Sequence, residues 1–101
     1  MNTFEQHDFT NNTARSRYEL VTDGHVSFVE YMLPGRKMIL SHTEVPKALE
    51  GKGIGSKIMK LVLEDAQKLG LKVIPLCPFA ATYIKRHPEW NSVLDDDVNL
   101  K

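Results

Sequence analysis

The sequence predicts an α/β (α+β) domain, with a mixed, mainly antiparallel sheet, a central helix opened by glycines and a short C-terminal helix. Three observations carry this expectation. Apolar and polar side chains alternate through 16–44 between turn dipeptides, spacings of three and four take over from Ile54, and the string "EGKGIGS" stands at the change. A chain of 101 residues makes one core and leaves no length for a separate substrate-binding domain.

Residues 1–14 are polar and rich in Asn and Thr, with Phe4 and Phe9 their large apolar side chains, and read as a loose lead-in to a domain over 15–101. In "RSRYELV" Tyr18 and Leu20 alternate with Arg17, Glu19 and Val21, a strand pattern that "TDGH" closes with a tight hairpin turn. The next strand, "VSFVEYML", sets Val29 and Tyr31 against Val26, Phe28, Glu30 and Met32, and Pro34-Gly35 ends it. "RKMILSHTEV" is a third strand, stopped by Pro46 and followed by a short helical turn at "KALE".

Ile54, Ile58, Leu61, Val62, Ala66 and Leu69 then mark one face of a helix, with Lys57, Lys60, Glu64, Gln67 and Lys68 opposite and Gly70 as its C-terminal stop. "LKVIPLC" is a short strand in which Pro75 signals an edge, a bulge or a strand end. A short helix follows in "PFAATYIKRHPEW", with Pro78 in its first turn and Pro88 at its end. The tail "NSVLDDDVNLK" carries an acidic run expected to be solvated.

Composition narrows the function. An apolar fraction of 42% and a charged fraction of 26% are those of an ordinary globular protein, and no apolar run approaches the roughly 20 residues of a membrane span. The start shows no basic region leading into an apolar stretch, so a cytoplasmic protein without membrane contact is expected, a monomer or weak dimer. Thirteen basic and thirteen acidic side chains cancel, which disfavours a nucleic-acid partner. A single cysteine, Cys77, forms no internal disulfide and no cysteine-built zinc cluster, and no metal is expected.

A glycine cluster opening a helix leaves N–H groups unpaired at the positive end of the helix dipole, an arrangement suited to an anion. A triphosphate loop needs G-x-x-x-x-G-K-[ST], but Gly51-Lys52 is followed by Gly53. A dinucleotide fingerprint needs a third glycine where Ser56 stands. The remaining candidate is "EGKGIGS" after antiparallel strands and before one strand and a short helix, which resembles the pyrophosphate loop of GNAT acetyltransferases, [Q/R]-x-x-G-x-[G/A]. Gly53 and Gly55 take its small-residue positions, while Glu50 stands where Gln or Arg is usual.

"HTEVPKALEGKGIGSKIMK" together with "VIPLCPFAATYIKRHPEW" is similar to the small cysteine-containing (CG) group of that superfamily, over about residues 15–90. The resemblance implies a truncated GNAT fold, binding of acetyl-CoA and CoA as cosubstrate, and an acetyltransferase with an unidentified amine acceptor, a small molecule or a protein. It also implies an acetyl-cysteine intermediate. The expected cofactor-binding residues are Val45, Gly51, Lys52, Gly53, Ile54, Gly55 and Ser56, with Lys85 and Arg86 either reaching a CoA phosphate or serving their own helix end.

Cys77 ends a strand directly before Pro78, where the helix dipole favours a thiolate, and it is read either as a nucleophile or as a lining of the acetyl site. His42 and Glu44 share a strand face by spacing and are candidate bases for Cys77 or the incoming ammonium, or else a surface pair. Thr43 then points to the other face as a structural residue. Tyr83 is the candidate acid for the leaving CoA thiolate, or an ordinary helix aromatic. The expected activity is acetyl-CoA-dependent N-acetyl transfer. A non-catalytic acetyl-CoA or CoA-binding or interaction module is the alternative, and a nucleotide-phosphate binder a third.

Overall fold

The computed structural model describes residues 8–100. Phe4 lies outside them. Five strands form one sheet in chain order: β1 (Phe9–Asn12), β2 (Arg17–Thr22), β3 (His25–Met32), β4 (Lys37–Glu44) and β5 (Lys72–Pro75). The first four run antiparallel, and β5 joins β4 in parallel after the crossover helix α1 (Ile54–Lys68). A second helix, α2 (Pro78–Arg86), follows β5. The chain thus has the expected mixed, mainly antiparallel sheet with a glycine-opened central helix.

Three features depart from the sequence reading. Phe9–Asn12, expected as loose lead-in, is an edge strand paired with Arg17–Leu20; Phe9 stacks on the Tyr18 ring and Asn11 takes the Tyr31 hydroxyl at 2.6 Å, so contacts from the next strands hold a segment that is polar by itself. Asp95, expected to be solvated, is 8% exposed, and its carboxylate faces Lys37 Nζ at 3.4 Å while its N–H donates to the Val73 carbonyl. The third departure decides the site. Tyr31 pairs with Leu40 but Glu30 pairs with His42, so Ser41 is an extra residue, a β-bulge that shifts the alternation of every side chain beyond it.

One face of the sheet carries the core. Tyr18, Leu20, Val29, Tyr31, Met38 and Leu40 pack under Ile58, Met59, Val62, Leu63 and Ala66 of α1 and Ala80 and Ile84 of α2. Burial of each Leu, Ile, Val or Met among them contributes about 1.5–3 kcal/mol relative to an exposed side chain. Leu61 is only half-buried and Leu69 is exposed; Met59 and Leu63 enter the core instead, because α1 lies against α2 as well as the sheet. The Tyr18 hydroxyl donates to the Asp65 carboxylate, tying β2 to α1. Glu30, Phe28 and Val26 point to the opposite face, which no described helix covers.

Candidate acetyl-CoA site

The loop before α1 has the form an anion needs. Gly51 and Gly53 take φ of 80° and 75°, and a Cβ at either would meet nothing within 4 Å, so the left-handed backbone requires glycine while the space around it stays open. Gly53 is the N-cap of α1 and offers no capping side chain; the first intrahelical bond is Lys57 N–H to the Gly53 carbonyl. The N–H groups of Ile54, Gly55 and Ser56 therefore lie ahead of the helical ladder at the positive end of the dipole. Gly55 has a different role from its neighbours. A Cβ there would lie 2.7 Å from Phe79 Cζ, so its bareness lets the first turn of α2 close onto the first turn of α1. Lys52 is turned away, 3.8 Å from Asp23 in the β2–β3 turn, and Val45 packs on the core.

β4 and β5 part company beside this loop. Pro75 brings no N–H to the ladder, Leu76 N–H turns back onto the Ile74 carbonyl, and the last backbone bond between the two sides is Cys77 N–H to the Leu40 carbonyl at 3.0 Å. Beyond it β4 runs on to Glu44 without a strand on that edge, leaving a fork. Cys77 sits at the base of the fork as the N-cap of α2. Its Sγ accepts the Ala80 N–H at 3.4 Å, and 4% of the residue is exposed.

The bulge reverses the expected assignment of the β4 side chains. Spacing alone put His42 and Glu44 toward Cys77 and Thr43 away; in the structure Thr43 Oγ1 lies 3.2 Å from Cys77 Sγ. His42 and Glu44 instead share the uncovered sheet face with Glu30 and Phe28, and His42 Nε2 meets Glu44 Oε1 at 2.9 Å with both side chains more than half exposed. As a base for Cys77 the pair is therefore on the wrong side of the sheet. No signal in a single strand reveals such a bulge, since it exists only relative to β3.

Tyr83, Arg86, His87, Phe79 and Ser56 line a small cleft of about 80 Å³ where α2 crosses the start of α1. Tyr83 stacks on His87 with centroids 4.1 Å apart, and His87 Nδ1 donates to the Tyr83 carbonyl. Burial pushes the Tyr83 phenol above its ordinary value, only partly offset by a hydrogen bond with Trp90, so it keeps its proton at neutral pH. Lys85 and Arg86 separate: Arg86 lines this cleft together with Ser56, whereas Lys85 lines a cleft of about 440 Å³ with Asn91 and the 94–100 tail. That larger cleft shares no lining residue with the smaller one, and size alone gives it no chemistry. Among the described residues no three His, Cys, Asp or Glu side chains gather as metal ligands, and no helix is long and apolar enough to cross a membrane.

A family model described as GCN5-related N-acetyltransferase matches residues 17–93, from β2 to the turn after α2. The chain belongs to this family. As a GCN5-related N-acetyltransferase family member it is 34% identical over 67 residues to Protein NATD1 of Xenopus tropicalis, a match covering 65% of this chain and 60% of that protein. Protein NATD1 of Homo sapiens gives the same identity over the same length, with 58% of that protein covered. The match thus spans about three-fifths of these relatives. The solution structure of a GCN5-like protein from Staphylococcus aureus superposes with a TM-score of 0.69 over 94% of this chain and 91% of that one, at 23% identity. The family fold is therefore shared across nearly the whole chain.

Proposed function

We propose that this protein binds acetyl-CoA and transfers its acetyl group to an amine. One observation carries the reading: the first turns of α1 and α2 meet at Gly55 and Phe79, which brings the unpaired N–H groups of one helix and the Cys77 cap of the other to the same fork. The pyrophosphate would rest on the N–H groups of Ile54 to Ser56, with Arg86 beside Ser56 as a further positive charge. The pantetheine arm would run along the open edge of β4 beyond Leu40, which ends at Cys77.

Two routes follow from that placement. In the covalent one the Cys77 thiol releases its proton to water, the thiolate attacks the acetyl carbonyl, the bond from carbonyl carbon to CoA sulfur breaks and CoA leaves as a thiolate; an amine then attacks the acetyl-cysteine and the Cys77 thiolate leaves. In the direct one the amine attacks acetyl-CoA itself while Cys77 lines the site. Tyr83, held protonated by burial, supplies a proton to the CoA thiolate in either route. The acceptor's ammonium proton passes to water, because the exposed His42–Glu44 pair lies on the opposite face of the sheet from Cys77.

The test is intact mass after incubation with acetyl-CoA, for wild type and Cys77→Ala, with CoA binding by calorimetry on both. One acetyl group gained by the wild type alone, mapped to Cys77, supports the covalent route. CoA binding with transfer to added amines but no acetyl-protein supports the direct route. CoA binding with neither leaves a CoA-binding module, and no binding by the wild type overturns the reading of the loop.

A further inference from the structure

We infer that Thr43 is the positioning residue of Cys77, acting through its hydroxyl on the sulfur; the inference deepens the reading of Cys77 given above and rests on it for its role in acetyl transfer. The contact is built from two elements that the sequence sets far apart. Thr43 Oγ1 reaches Cys77 Sγ at 3.2 Å from the β4 side of the fork, and Ala80 N–H reaches the same sulfur at 3.4 Å from the first turn of α2. The cysteine backbone is fixed as well, its N–H on the Leu40 carbonyl at 3.0 Å and its carbonyl on Ala81 N–H at 3.1 Å.

The contact is not a by-product of regular strand alternation. If Ser41 kept regular alternation from Leu40, Thr43 would turn to the uncovered face; the bulge turns it inward, where its partner across the strand is the buried Val29. A hydroxyl is the group suited to this place, because it accepts as well as donates. While the sulfur carries its proton, the S–H is given to Oγ1. Once the proton has left, the hydroxyl rotates and donates to the thiolate, the stronger, charge-assisted bond. Histidine or glutamate in the same place would add a second titrating group beside the sulfur; threonine adds none.

Thr43→Val keeps the shape and removes the hydroxyl, and Thr43→Ser keeps the hydroxyl. Alkylation of Cys77 by iodoacetamide at fixed pH, which needs no acetyl-CoA, should slow roughly ten-fold in Thr43→Val and stay within about two-fold in Thr43→Ser, the size of one hydrogen bond to a charged group. CoA affinity by calorimetry should be equal in all three. Equal alkylation rates in the Val and Ser variants overturn the inference. Because the chain has a single cysteine, the S–H Raman band of the wild type is unambiguous and tests the contact even where Thr43→Val fails to fold. It should lie lower in the folded protein than in urea, and an unshifted band overturns the inference. A wild type that shows the sulfur contact but binds no CoA would overturn the acetyltransferase reading alone.

Discussion

Two buried tyrosines, Tyr18 and Tyr83, hold their phenol protons above the ordinary range. Tyr18 is fully buried, and desolvation first, then its hydrogen bond to Asp65, pushes its phenol far above the ordinary value of 10.0; Tyr83 moves the same way, with burial the largest cause. An acid whose pKa is higher in the folded state stays protonated there while the unfolded chain releases its proton. Stability from these groups is therefore complete below pH 10.0 and falls as pH rises above it. Chemical denaturation across pH 8 to 11 should show a flat stability followed by a decline that is smaller in Tyr18→Phe. A decline of equal steepness in that variant would exclude Tyr18 as its source.

The bulge in β4 does two things at element level: it bends the strand at the point where β5 stops, and it sets which side chains face the fork. Deleting Ser41 should leave Thr43 inward, since His42 would simply pair with Glu30 in a regular ladder, but it should straighten β4 and let the fork narrow. The expected result is a folded protein whose CoA affinity by calorimetry falls roughly ten-fold or more. Unchanged affinity would show that the fork does not depend on the bend. The same element marks where sequence reasoning reached its limit. β2 to β5, the Asp23-Gly24 turn, α1, and the Pro78 start and Pro88 end of α2 are written in local pattern and were legible. The facing of Thr43, the strand at Phe9–Asn12 and the burial of Asp95 were not, because each depends on a partner distant in the chain: β3 for the bulge, Tyr18 and Tyr31 for β1, Lys37 for Asp95. At the site, the N–H groups of Ile54 to Ser56 and the Cys77 cap were legible from glycine and proline placement, while the distinct task of Gly55 required knowing where Phe79 lands.

In the molecule as a whole, α1 is at once the centre of the core and the seat proposed for the cofactor's phosphates. The site has no existence apart from the folded state, so a ligand that binds there must raise global stability. At 100 times its dissociation constant CoA should add about 2.7 kcal/mol. For a domain of this size that corresponds to a melting temperature higher by roughly 10 °C or more in scanning calorimetry. A melting temperature unmoved at saturating CoA would mean that the phosphates do not rest on α1. The uncovered side of the sheet has a consequence of another kind. Val26, Phe28, Glu30, His42 and Glu44 are not locked under α1 or α2, so their identities are free to drift without unmaking the fold. Mutational tolerance is thus lopsided: the half of the sheet that keeps the protein folded is frozen, and the half turned away from both helices is open to being rewritten.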